Sequence, residues 1–444
     1  MERPLEDLAQ HVIDLVGDRA EAQVRVVDLR HGLTRFANSH IHQHVGEQTV
    51  EVVLKIASDG RVASASTTRT TDDDLRSFVD ATLDVAAVAP VDEDWPGMAP
   101  ATPLENTDTT SAATVDATPE ARTEIVKAFV EAGDGLNAAG YCETEHLRLA
   151  FANTAGQQAS AQSTRATIDG IHRTATSAGQ GHQTSRSLAD LDGGAAGRQA
   201  ADLARRGQDP VDPDPDRYEV VLGPEAVATI FQFLSFYGFN AKAMAEGRSF
   251  VQLGEHQFDE AITLVDDVND PRSVGLTIDV EGTPTQALRL IDAGVSTALA
   301  YDRRTASAEN RDSTGHAIPG SEQYGPVAAN LLVGAADRSP ADLVAGMERG
   351  LLVTAFNYCR VLDPMTMVIT GLTRNGTFLV EDGKVVRPVG NLRFTQSFVA
   401  GLAPGQVLGV GNDGRHAEGE FGPGMVWAPS LRLASWNISG TARG

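Results

Sequence analysis

Twice in the first half of the chain, apolar and polar residues alternate along a strand, break at a turn and alternate again. "RFANSHIHQHVGEQTVEVVLKI" carries Phe36-Ala37-Asn38-Ser39, and "LAFANTAGQQASAQSTRATIDGI" carries Phe151-Ala152-Asn153-Thr154. A Thr/Ser-rich bend and an Asp-containing helical stretch follow each copy, "TTDDDLRSFVDATLDVA" and "TSRSLADLDGGAAGRQAADLARR". Strands repeat every two residues and helices every 3.6. The shared order therefore predicts a duplicated β-β-β-α unit, an α+β domain whose sheet is covered by helices on one face.

The second half reads as mostly antiparallel β, a sandwich or distorted barrel. "ITLVDDV", "VGLTIDVEGTPTQALRLI", "VSTALAYD", "MTMVITGLTRNGTFLVEDGKVVRPVG" and "SLRLASWNISG" alternate as strands do. Ala-Gly in "LIDAGVS" and Asp-Gly in "VEDGKVV" predict hairpins. Two helices are expected. One opens at Pro224, directly after an apolar strand from Tyr218 to Leu222, and the other is "SPADLVAGMERGLL", with Ser339 as N-cap and Pro340 in its first turn. By the same periodicity Cys359 in "AFNYCR" closes an apolar helix. The Asp/Pro run "DPVDPDPD" fits neither helix interior nor central strand. It divides the chain into an α+β domain at 1–208, a linker at 209–216 and a β-rich domain at 217–444. Residues 89–117 read as a long surface loop that ends at the N-cap pair Thr118-Pro119.

With 444 residues, 41% hydrophobic and 22% charged, the chain has the composition of a soluble globular protein. Its net charge of −24 disfavours a nucleic-acid or anionic-membrane partner, because phosphate affinity needs clustered Lys and Arg. The start, "MERPLEDLAQHVIDLV", reads as an amphipathic helix rather than a signal peptide, and no apolar run approaches a membrane span. A cytoplasmic location is expected. Cys142 and Cys359 are too few for a disulfide framework and sit in no CxxC pair, so buried, inert thiols are the default.

The strand-to-helix junction "VLGPEAVATIF" is where enzymes commonly mount ligands, yet it offers one carboxylate, Glu225. "HIHQH" places His40, His42 and His44 at alternate strand positions, spaced as metal ligands are. A polar strand facing solvent or a cleft is the plainer account, since no carboxylate or Cys completes the set locally. "RHAEGEF" repeats the spacing with His416, Glu418 and Glu420, and exposed charge on a loop or edge strand accounts for it. In "STGHA", Ser313, Thr314, Gly315 and His316 form a polar turn with Asp312 as the only nearby acid. A backbone-anchoring or substrate-cleft role fits these four better than catalysis.

In order, "VLGPEAVATIF", "DVEGTPTQALRLIDAGVSTALAYDRRTA", "STGHA", "GLLVTAFNYCRVLDPMTMVITGLTRNGTFLVEDGKVVRPV" and "GNDG…PSLRLASWNISG" make the chain resemble the TldD/PmbA family of metallopeptidases, also called modulators of DNA gyrase. The family implies two kinds of subunit. TldD-type chains carry His-Glu-x-x-x-His on the first helix of the C-terminal domain and a late Cys, around a zinc ion that activates water. Laid on this chain, those helix positions fall on Pro224, Glu225 and Thr229, and no Cys follows Cys359. The resemblance thus implies the PmbA (TldE) type. Such a chain binds no cofactor itself, with zinc on a TldD-type partner, and the pair acts on unstructured polypeptides. Two other readings stay open: a homodimeric peptide-binding protein without hydrolytic activity, and an enzyme using the His40, His42, His44 face as a metal site.

Overall fold

The computed structural model describes residues 3–104 and 107–441. The first half runs α1 (Leu5–Val16), β1 (Glu21–Ala37), β2 (His40–Ser58), β3 (Arg61–Thr67), α2 (Asp72–Val88), β4 (Thr107–Thr109), α3 (Ala112–Val115), α4 (Pro119–Glu131), β5 (Asn137–Asn153), β6 (Gln158–Arg173), β7 (Ala178–Ser185) and α5 (Gly193–Arg206). The duplication is visible in three dimensions, with one addition: each β-β-β-α unit is preceded by its own helix, α1 or α4. The units join where β1 pairs with β5 antiparallel, giving one sheet in the order β3-β2-β1-β5-β6, with β7 and β4 both on β6.

The helices cover one face of this sheet, as the pattern predicts. Val24, Val26 and Ala150 meet α1 and α2, while Phe36, Cys142 and Ile168 meet α4 and α5. The opposite face is free of helices and packs Leu149, Phe151 and Ala161 against Ile278 of the second half. The two FAN motifs end differently. Asn38 and Ser39 are both left-handed (φ 50° and 62°) and make a two-residue hairpin turn. After Asn153 the loop is longer and closes on the Asn153 side chain, which accepts the Gln157 N–H at 2.9 Å. Residues 105 and 106 of the expected surface loop lie outside the described residues.

The second half runs β8 (Arg217–Leu222), α6 (Pro224–Tyr237), α7 (Ala241–Ala245), β9 (Leu264–Asp266), β10 (Leu288–Asp292), β11 (Val295–Ser296), α8 (Arg303–Ala308), α9 (Ser321–Tyr324), β12 (Leu331–Val333), α10 (Pro340–Ala345), β13 (Arg349–Asp363), β14 (Val368–Glu381), β15 (Lys384–Val389), β16 (Leu392–Ser397), α11 (Phe398–Gly401), β17 (Val407–Val410), β18 (Arg415–Gly419), β19 (Gly422–Ala428) and β20 (Leu431–Thr441). β13, β8, β20, β16 and β14 pair in sequence, and β14 returns to β13, closing a ring. A second sheet runs β11-β10-β9-β12-β19-β18. Helix α6 packs against β13 of the ring and against β18 and β19 of the second sheet, with Pro224 to Ser235 wholly buried. Phe356, Phe394, Phe398 and Trp436 stack together in the same core. Among the described residues no helix is long and apolar enough to cross a membrane.

Two expectations are corrected. The helix from Pro340 stops at Ala345, and from Arg349 the chain is strand β13, so Cys359 lies in a strand. Gly346 caps the helix, and the alternation of "LLVTAF" then pairs with β8 and β14. The long strands expected between Ile262 and Asp302 shrink to three short ones. In "DVEGT" the Asp279 carboxylate accepts N–H groups from Glu281, Thr283 and Ala317, which draws that backbone out of any ladder. In "VSTALAYD" the N–H groups of Ala300 and Tyr301 are bonded to Phe239 and Thr314 instead of to a neighbouring strand.

Gly350 is where the ring is tightest, since a Cβ there would lie 2.3 Å from the Glu219 carbonyl oxygen of β8. Gly350→Ala is expected to lower stability by about 1–3 kcal/mol. A denaturant midpoint equal to that of the wild type would show that β8 and β13 separate freely.

Candidate functional site

The junction from β8 to α6 is set by sterics. Gly223 turns where a Cβ would approach the Thr354 carbonyl oxygen to 3.0 Å, and Pro224 starts the helix without needing an N–H partner. Glu225 follows in the first turn, buried, with its carboxylate held by Arg415 of β18 at 2.8 and 2.9 Å. One turn on, the Thr229 hydroxyl is buried and donates to the Glu225 carbonyl at 3.1 Å. These three positions do not fit zinc. Proline has no donor atom, the threonine is turned onto the backbone, and the carboxylate is engaged by a guanidinium.

Beside this junction lies a cavity of about 310 Å³ whose walls include Glu225, Phe356 and Arg374 from the second half and Asp169 and Gln180 from the first. Glu418 of β18 also faces it. Asp169 on β6 and His182 on β7 are direct cross-strand partners, with Asp169 Oδ2 3.1 Å from His182 Nδ1. The other ring nitrogen lies 3.0 Å from the Thr184 hydroxyl, which in turn lies 2.9 Å from that of Thr167. The Gln180 amide donates to Asp169 at 2.9 Å and also to Glu418.

Electrostatics set the three groups apart. Burial pushes the Asp169 carboxyl up, but the hydrogen bond and charge of His182 outweigh it, so its pKa falls below the ordinary value. Burial also disfavours the His182 imidazolium, and Asp169 overcomes this, raising its pKa. Glu418 is pushed up to about 7, first by burial and then by the Asp169 charge. The cleft thus holds one ionised carboxylate beside one that readily keeps its proton.

Of the residues singled out in the sequence, Glu225, Glu418 and Glu420 line this cavity together, and the rest lie elsewhere. Ser313, Thr314, Gly315 and His316 line no part of this cavity. Ser313 donates to the Tyr301 carbonyl at 3.1 Å, and His316 is buried between Thr314 (2.9 Å) and Asp266 (3.3 Å). Gly315 (φ 72°) passes so close to Pro284 that a Cβ would sit 2.1 Å from its carbonyl oxygen. This turn anchors backbone.

His40, His42 and His44 are all exposed on β2, and they do not share a face. A bulge leaves His42 as the extra residue between the pairs Phe36↔Ile41 and Arg35↔Gln43. His44 therefore reaches Thr34 (3.0 Å) on the helix-covered face, while His40, paired with Ala37, points the other way. Cys142 and Cys359 are buried free thiols, and burial raises both, Cys142 to about 12. Glu418 departs from the expected exposed charge: β18 is an edge strand, but β7 covers that face. Asp169 and His182 were missed because more than two hundred residues separate them from Glu418, and no local motif marks "TIDGIH" or "GHQTS".

With the geometry in view, similarity to known proteins becomes informative. Residues 215–440, half of the chain, match the PmbA/TldA metallopeptidase C-terminal domain. The chain belongs to the PmbA/TldD family. An uncharacterized protein of Methanocaldococcus jannaschii, MJ0231, is 34% identical over 104 residues, 23% of this chain and 25% of that protein. A metalloprotease TldD homolog of Haemophilus influenzae is 26% identical over 201 residues, 43% of this chain and 41% of its own length. The chain thus spans well under half the length of these two curated relatives. The crystal structure of TldE from Thermococcus kodakarensis superposes with a TM-score of 0.86 at 18% identity, covering 98% of this chain and 99% of that one. That likeness establishes a TldE-like α+β fold of antiparallel sheets and a partial barrel.

Among the described residues, Arg415 is the one ion-pair partner of the buried Glu225 carboxylate. Removing it in Arg415→Met is expected to cost about 2–4 kcal/mol, because the charge left behind stays desolvated. Adding Glu225→Gln to that variant should recover most of the loss. Denaturant unfolding of the two single variants and the double variant checks this, and a purely additive double variant would show the pair to be uncoupled.

Proposed function

We propose that this family member acts as the TldE-type subunit of a two-chain metallopeptidase. It shapes the cleft and holds the substrate, while a TldD-type partner supplies the zinc. The observation that supports this reading is the junction at α6, where Pro224 offers no donor atom, Thr229 is turned onto the backbone and Glu225 is committed to Arg415, at the positions onto which the resemblance lays the family's zinc motif. A chain that keeps the cleft but presents no zinc ligand set on α6 contributes binding surface and positioning rather than water activation. Two chains of one fold can pair about a pseudo-two-fold axis through matching surfaces. The substrate in this reading is an unstructured polypeptide, held in part by strand addition at an open sheet edge such as β3 or β15.

On a disordered polypeptide, this chain alone should be inactive and a TldD-type partner weak. The mixture should be active, blocked by chelator and co-eluting in size-exclusion chromatography. If the chains neither co-elute nor gain activity together, the homodimeric peptide-binding protein becomes the better account.

Restoring a single histidine is expected to change nothing, since a catalytic zinc site needs three protein ligands. Pro224→His should show no chelator-sensitive hydrolysis on its own. Measurable activity in that variant would place the family's helix motif elsewhere in this chain.

A further inference from the structure

We propose that Asp169, His182 and Glu418 bind a divalent cation of the Mn²⁺ class at the seam between the two halves of the chain. The three residues offer one ligand atom each, and these atoms all lie within 4.8 Å of one another. The β6–β7 ladder fixes the first two backbones, while Glu418 sits at the register shift between Ala417 and Gly419 on β18. Asp169 and His182 face each other across β6 and β7, and Glu418 arrives on β18 from the other half. The ligand atoms come from β6, β7 and β18 rather than from α6, although Glu225 of α6 lines the same cavity, and the proposal goes beyond the reading of this chain as a partner subunit.

The donor set selects the class of ion. Two carboxylates and one imidazole suit a hard to borderline cation such as Mn²⁺, whereas the thiolate and imidazole sets typical of zinc are absent from this cluster. Two carboxylates with a neutral imidazole balance a charge of +2, a state the ion reaches by displacing the protons that His182 and Glu418 favour in its absence. Neither carboxylate has a Lys or Arg ion-pair partner among the described residues, and Asp169 is paired only with His182. The adjoining cavity of about 310 Å³ leaves room for waters to complete the coordination.

The surroundings are those of a ligating set. The His182 nitrogen remote from Asp169 is engaged by Thr184, itself backed by Thr167, which orients the ring. Gln180 bonds both carboxylates, and its own carbonyl accepts from Asn375 at 3.3 Å.

A neighbouring residue of β18 is also left with an unused acceptor. His416 and Glu418 flank Ala417, which is fully buried against the α6 core, and β18 also packs against β7. The His416 Nε2 donates to the Arg272 carbonyl, which leaves Nδ1 as a lone pair. That Nδ1 is shut off from solvent without a hydrogen-bond partner. His416 stands beside the cluster without belonging to it, since its ring nitrogens are not among the atoms that lie within 4.8 Å of one another.

The test uses the full chain, stripped by chelator dialysis and titrated with Mn²⁺. Free ion is read by electron paramagnetic resonance and stability by thermal unfolding. One Mn²⁺ per chain is expected, with a raised unfolding midpoint. Asp169→Asn and Glu418→Gln should each weaken binding at least tenfold, and the double variant should abolish it. A His40→Ala, His42→Ala, His44→Ala variant should bind as the wild type does. Circular dichroism and unfolding without cation establish that the near-isosteric variants are folded. Absence of Mn²⁺ binding by the wild type at millimolar concentration overturns the proposal, as does undiminished binding by the folded double variant. Neither result bears on pairing with a TldD-type chain, which co-elution reads separately.

Discussion

Helix α6 has no face turned to solvent along its first three turns, and that burial dictates the architecture around it. Val227, Ile230, Phe231, Phe233 and Leu234 point in every direction around the axis, each stabilising the fold by roughly 1.5–3 kcal/mol when buried. Such a helix must be enclosed on all sides. The strand ring and the second sheet do so, and their spacing leaves no slack at the junction that precedes the helix. The one charge in the first turn, Glu225, tolerates this position because β18 delivers Arg415 to it.

The helix-free face of the first sheet is equally constrained. Leu149 and Phe151 need cover, and the loop around Ile278 supplies it, reinforced where Gln157 donates to the Gly282 carbonyl at 3.0 Å. This packing brings β6 and β7 over β18. The cluster of Asp169, His182 and Glu418 is a product of that docking and belongs to neither half alone.

The regular parts of the fold were legible because their signals are local. Alternation marked the long strands, Asp-Gly and Ala-Gly marked hairpins whose residues 382–383 and 293–294 are left-handed, and Thr118 caps α4 through the Ala121 N–H. The misread stretches are those where tertiary partners override local pattern. "MERGLL" looks helical until β8 and β14 claim it, and "DVEGT" looks extended until Asp279 captures its N–H groups. The same distinction separates the sites. Pro224, Glu225 and Thr229 lie in one contiguous stretch, onto which a motif can be laid. Asp169 and His182 could not be located that way, because their meaning depends on a strand from the far end of the chain. The bulge at His42, which splits the "HIHQH" face, leaves no mark in the residues themselves.

The position of β20 has a consequence for how the protein is made. It is the last described strand, yet it sits inside the ring between β8 and β16, and its Ile438 N–H reaches back to the Asp216 carbonyl at 3.0 Å. On the ribosome, α6 and its apolar surroundings emerge roughly two hundred residues before the strand that seals them. At translation speeds of about 5–20 residues per second, that surface stays uncovered for about 10–40 seconds. The strands of the first sheet can pair among themselves during that wait, whereas their helix-free face stays open until the loop around Ile278 is made and the core around α6 until its closing strand arrives.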